Sequence, residues 1–61
     1  MPFVRISMFP RPEEVKKSLA QELTEVIAKH CKVPMDATWI VFEDIEKDHW
    51  AMGGKLRSEK I

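Results

Sequence analysis

The stretch from Pro12 to Cys31 limits the fold more than any other part of this chain, because it reads as one long helix with a single apolar stripe. Val15, Leu19, Leu23, Val26, Ile27 and Cys31 recur at three- and four-residue steps, the spacing that aligns side chains along one side of an α-helix. Lys16, Lys17, Gln21, Glu22, Glu25 and Lys29 take the polar side. Glu13–Lys17 and Glu25–Lys29 set acid before base at the supportive four-residue spacing. Pro12 suits the first helical position, and Glu13 and Glu14 suit the positive end of the helix dipole. Lys29, His30 and Lys32 crowd the negative end, and Pro34 stops any continuation.

Both flanks of this helix read as strands. In Phe3–Phe9, Val4, Ile6 and Met8 form one face while Phe3, Arg5, Ser7 and Phe9 form the other. Pro2 stands at the strand's first position, where proline is tolerated, and Pro10 and Pro12 end it. Thr38–Glu43 is rich in β-branched and aromatic residues. Glu46–His49 is polar and turn-like, and Trp50–Leu56 reads as a short hairpin around Gly53 and Gly54. The tail from Arg57 is polar and expected to be loosely held. A helix of this length spans roughly 30 Å, enough to return the chain so that the two strands lie parallel through a right-handed crossover. The expected fold is therefore α+β: one domain over residues 1–61, a β-α-β unit with a short C-terminal β-hairpin, its two parallel strands packed on one long helix.

That arrangement leaves apolar surface uncovered. A chain of 61 residues buries only about 60% of the surface its unfolded form exposes. Domains of that size usually lean on disulfides, a metal or partner subunits. Cys31 is the only cysteine, so no disulfide forms within the chain. His30, Cys31 and His49 lack paired zinc-ligand spacing, and neither a metal nor a cofactor is expected. Self-association remains, and the fold is expected to be completed by oligomerisation. Ten basic and ten acidic residues balance to zero, which disfavours nucleic acid as a partner. No apolar run approaches the ~20 residues of a membrane span, and no signal-peptide pattern opens the chain. A lone cysteine fits the reducing cytoplasm, the expected location.

Pro2 is the sharpest chemical feature. Methionine aminopeptidases act where the second side chain is small, so Met1 is expected to be removed. The product begins with a secondary amine on a rigid ring. An α-amino group has a reference pKa of about 7.7–8.0; burial or a nearby cation disfavours its charged form and moves it toward neutrality. A base of that strength suits proton abstraction. Met-Pro starts are common, however, and the residue alone does not establish catalysis.

Further residues extend the pattern. Met1-Pro2 leads straight into a strand, Arg11 precedes the helix, and Glu-Glu-Val-Lys opens it at 13–16. Val33-Pro34 precedes the second strand, and Lys47-Asp-His-Trp-Ala-Met-Gly-Gly54 places an aromatic just before a Gly-Gly hairpin. Over nearly its whole length the chain resembles the 4-oxalocrotonate tautomerase family, the short-chain members of the tautomerase superfamily. The resemblance implies a β-α-β subunit assembled as a homodimer or homohexamer, with Pro2 as general base. Its substrate would be a small enol or α-keto carboxylic acid. Arg11 would bind the substrate carboxylate and polarise its carbonyl, although the loop before it is one residue shorter than in the best-known members. Trp50 matches the pocket aromatic; packing between subunits is its structural alternative. Trp39 departs from the pattern, standing where well-studied members carry a second arginine. Its indole offers one donor and no charge, so a substrate with two carboxylates loses a contact there.

The expected activity is that of an isomerase, a tautomerase performing keto-enol interconversion. One alternative is a hydratase or dehalogenase of unsaturated acids on the same fold, for which Glu43 or Asp44 is a candidate to position water. Another is a non-catalytic oligomeric binding protein. Cys31 reads as core packing, since a helix's negative end makes a poor thiolate site. His30 and His49 read as surface residues without an acid partner, and Met8, Met35 and Met52 as core or interface fillers.

Overall fold

In the computed structural model, which describes residues 1–59, two six-residue strands flank one helix. The elements are β1 (Phe3–Met8), α1 (Glu13–Cys31), a 3₁₀ turn at Met35–Ala37, β2 (Trp39–Asp44), a second 3₁₀ turn at Lys47–His49, β3 (Ala51–Met52) and β4 (Lys55–Leu56). The last two residues of the expected 1–61 domain lie outside the described residues. β1 and β2 pair in parallel, with Phe3 beside Trp39 and Met8 beside Asp44. β3 and β4 form the hairpin, Ala51 facing Leu56. This is the expected β-α-β unit with a C-terminal hairpin, and boundaries move by only a residue.

Those small shifts have local causes. Pro12 is extended, at φ −59° and ψ 156°, and caps α1 rather than opening it; its carbonyl accepts from the Val15 N–H at 3.1 Å. At the other end Lys32 enters the left-handed region at φ 57°, and the Val33 N–H donates to the Ala28 carbonyl at 3.2 Å. That six-residue closure with a left-handed residue is a Schellman-type stop. The helix thus ends in its own backbone before Pro34 is reached. Gly53 and Gly54, at φ 59° and 83°, make the hairpin corner that side chains would strain.

The sheet has two unequal faces. Val4, Ile6, Met8, Ile40 and Phe42 are half-buried, whereas Phe3, Arg5, Ser7, Trp39 and Val41 are exposed. The strands' period of two accounts for the split, one face meeting α1 and the other left open. Lys16 on α1 ties the helix to the end of β2, its Nζ lying 2.7 Å from the Asp44 carboxylate.

Three expectations need correction. Cys31 is exposed in the protomer rather than packed in a core: a helix of 19 residues runs roughly 28 Å, more than the roughly 20 Å of a six-residue strand, so the sheet cannot cover its whole length. Phe9 leaves the outer-face alternation, turning its ring onto Trp50 at a centroid distance of 5.0 Å. The tail is held at its start: the Arg57 N–H donates to the Trp50 carbonyl at 2.8 Å, and the Glu59 N–H to Leu56 at 3.0 Å.

Candidate active site

Pro2 precedes β1 and is half-buried. Its carbonyl accepts from the Trp39 N–H at 3.0 Å, so the strand pairing fixes the head of β1 to the head of β2. Trp39 sits beside Phe3 on the open face, with 54% and 53% of their surfaces exposed. Two of the four expected site residues, Pro2 and Trp39, thus share one end of the sheet.

The other two gather at the opposite end. The Ile45 N–H donates to the Met8 carbonyl at 2.8 Å, extending the pairing past β2 and drawing residues 46–48 alongside residues 9–11. A cleft of about 450 Å³ results, lined by Phe9, Pro10, Arg11, Glu46, Lys47, Asp48 and Ser58. Trp50 packs on Phe9, one of the lining residues, with the two rings tilted by 55°. Arg11 is exposed and its Nη1 donates to the Pro10 carbonyl at 3.2 Å. Among the described residues neither Arg11 nor Lys47 forms an ion pair.

The length of β1, roughly 20 Å for six residues, separates Pro2 from Arg11 within one chain. A single protomer therefore does not bring Pro2 and the Arg11 guanidinium together. Any small substrate touching both must lie between copies. Sequence reasoning placed these residues in one site without locating this division, because strand alternation reports faces and not which end of a strand meets a partner.

The remaining candidates resolve simply. The Glu43 carboxylate accepts from the Ser7 hydroxyl at 3.0 Å and lies 3.8 Å from Arg5 Nε, while Asp44 holds Lys16. Both carboxylates named for positioning water are engaged, on opposite faces. Arg5 also covers the Phe3 ring at 5.7 Å. His49 does have an acid neighbour, Asp48 at 3.3 Å, on an exposed turn. No group of three or more His, Cys, Asp or Glu among the described residues is placed to hold a metal. None of the described helices is long and apolar enough to cross a membrane. Lys47 was not singled out from the sequence; its position three residues before Trp50 in a polar turn carries no signal of a cleft.

A β-α-β unit of this kind, opening on a proline, defines a class. The family model described as tautomerase enzyme matches residues 2–60. A probable tautomerase of Ralstonia nicotianae is 38% identical over 61 residues, covering 98% of this chain and 94% of its own. One from Listeria monocytogenes serotype 4b is 37% identical over 60 residues, covering 97% and 98%. Among solved structures, a 4-oxalocrotonate tautomerase homologue superposes with a TM-score of 0.93 at 29% identity, covering 100% of this chain and 98% of that one. A heterohexamer 4-oxalocrotonate tautomerase from Chloroflexus aurantiacus gives 0.88 at 30% identity, covering 97% of each. The chain is a tautomerase enzyme and belongs to the 4-oxalocrotonate tautomerase family.

Proposed function

We propose that this protein interconverts the enol and keto forms of a small carboxylic acid, using the amine of Pro2 as general base. One observation carries the reading: Pro2 stands at the head of β1 with its carbonyl held by Trp39 at 3.0 Å. With Met1 attached the proline nitrogen is a tertiary amide without basicity. Removal of Met1 leaves a secondary amine whose ring cannot rotate about N–Cα and whose carbonyl stays anchored to β2. Burial of that amine against a neighbouring copy would disfavour its charged form and keep its lone pair available.

In this reading the neutral amine removes the proton from the substrate's enol oxygen, and the resulting ammonium returns a proton to carbon, leaving the ketone. Arg11 of another copy binds the carboxylate, since its own Arg11 lies at the far end of β1. A guanidinium fork matches a carboxylate in two-point geometry. Phe9 and Trp50 supply an apolar wall that strengthens the charge contact. The functional species is a homodimer or homohexamer; the heterohexamer relative from Chloroflexus aurantiacus supports six subunits of this type in one assembly.

The test uses protein whose intact mass shows that Met1 is gone, and phenylenolpyruvate as a generic enol. Turnover is expected, and Pro2→Ala, a freely rotating primary amine, should lower it by roughly 10²–10⁴, the usual contribution of a general base. Unchanged turnover in processed Pro2→Ala would refute the assignment. Absence of turnover in the processed parent would point instead to a binding role.

A further inference from the structure

The cleft at the end of β1 contains a cation that the proton-transfer scheme does not use. Arg11 enters from the loop before α1, and Lys47 from the 3₁₀ turn after β2. Two features bring these distant segments together: the Ile45–Met8 backbone bond at 2.8 Å and the Phe9–Trp50 ring contact at 5.0 Å. The turn itself is closed by the His49 N–H on the Glu46 carbonyl at 2.9 Å and the Trp50 N–H on Lys47 at 3.4 Å. This closure sends Trp50 onto Phe9 while Lys47 lines the opening.

The charges around the cleft do not cancel pairwise. Glu46 and Asp48 also line it, yet Asp48 faces His49 at 3.3 Å. Among the described residues no carboxylate lies within ion-pair distance of Arg11 or Lys47. Two cations lining one cleft of about 450 Å³ together with the Phe9 ring fit a small aromatic or unsaturated monocarboxylate. At the other end of the sheet, Trp39 offers no charge for a second carboxylate.

We propose that Lys47 is a substrate-positioning residue that grips, together with Arg11, the single carboxylate of the ligand. The proposal rests on the reading of Arg11 as the carboxylate anchor but not on the role of Pro2. A planar guanidinium fixes the orientation of the carboxylate, and the ammonium adds an adjustable point charge. The shared anchor serves one carboxylate and requires no second.

Binding separates this from proton transfer. Benzoate and its neutral counterpart benzamide are titrated against the processed oligomer, with backbone amide shifts read by NMR. Lys47→Met is expected to weaken benzoate by about three- to tenfold, an exposed charge contact being worth less than a buried one, and to leave benzamide unchanged. Lys47→Arg should restore benzoate binding. In an Arg11→Met background the Lys47→Met effect should shrink, because two groups holding one carboxylate do not act independently. Equal losses for benzoate and benzamide, no loss for benzoate, or an undiminished effect without Arg11 would each overturn the proposal. Circular dichroism of each variant establishes that its fold is intact, and Lys17→Met, on another groove, should leave benzoate binding unchanged.

Discussion

Trp39 is the residue that sets this chain apart. Its backbone does a structural task, donating to Pro2 at 3.0 Å, and any residue but proline can do that. Its side chain lies on the open face beside Phe3, more than half exposed, where an arginine would present a charge. With Trp there, a monocarboxylate enol and a dicarboxylate one should be handled about equally. Trp39→Arg should then raise kcat/KM for the dicarboxylate selectively. A hydrogen bond to a charged group is worth about 1.5–3 kcal/mol, which is roughly tenfold or more when made in the transition state. Loss of the indole's bulk loosens packing for both substrates alike, so the ratio of the two in one variant isolates the charge. A native preference for the dicarboxylate that Trp39→Arg leaves unchanged would show that another cation serves the second carboxylate.

At the level of elements, α1 is secured at both ends by backbone geometry more than by side chains. No side-chain cap bonds its first turn; Pro12 supplies a fixed φ and an accepting carbonyl. Its far end depends on Lys32, a residue with a Cβ held at φ 57°. Left-handed backbone costs a side-chain-bearing residue roughly 1–2 kcal/mol, while glycine loses about 0.5–1 kcal/mol in unfolded-state entropy. Lys32→Gly is therefore expected to stabilise the fold, by about 0.5–1 kcal/mol, seen as a higher midpoint in urea with an unchanged slope. A lower midpoint would mean that the lysine side chain makes a contact in the assembly that outweighs its backbone strain. Lys16–Asp44 complements this, pinning the first turns of α1 to the end of β2 and so holding Arg11 near the cleft.

The whole chain is too thin to stand alone. Its extents are 44 × 23 × 13 Å and its radius of gyration is 14.9 Å, against about 10.5 Å for a compact domain of this length. Among the described residues none is fully buried. Val15 and Val26 of the helical stripe are 41% and 54% exposed, and Phe3, Trp39 and Met52 more than half. Large apolar patches of this kind mark surfaces that other chains cover, and a two-stranded sheet is only marginally stable without further packing. Sedimentation at micromolar concentration should thus show a dimer or hexamer. A folded species of 7.1 kDa would overturn this, and with it any site drawing Pro2 and Arg11 from different copies.

Local periodicity made most of this architecture legible before any coordinates. The three- and four-residue steps from Val15 to Cys31 defined α1, alternation in Phe3–Phe9 defined β1 to within a residue, and Gly53–Gly54 marked the hairpin corner, because each reports conformation within a few residues. The 3₁₀ turn at Met35–Ala37 escaped notice because three residues are too few to show a period. The stop at Lys32 was hidden because lysine does not advertise a left-handed backbone. Pro2 was named from its type and place in the chain, and Arg11, Trp39 and Trp50 from the family resemblance, but their distribution was not readable there. Pairing Phe3 with Trp39 and Ile45 with Met8 puts Pro2 and Trp39 at one end of the sheet and Arg11, Lys47 and Trp50 at the other. Register arises from the summed contacts of strands far apart in sequence, so only the folded structure decided which residues meet.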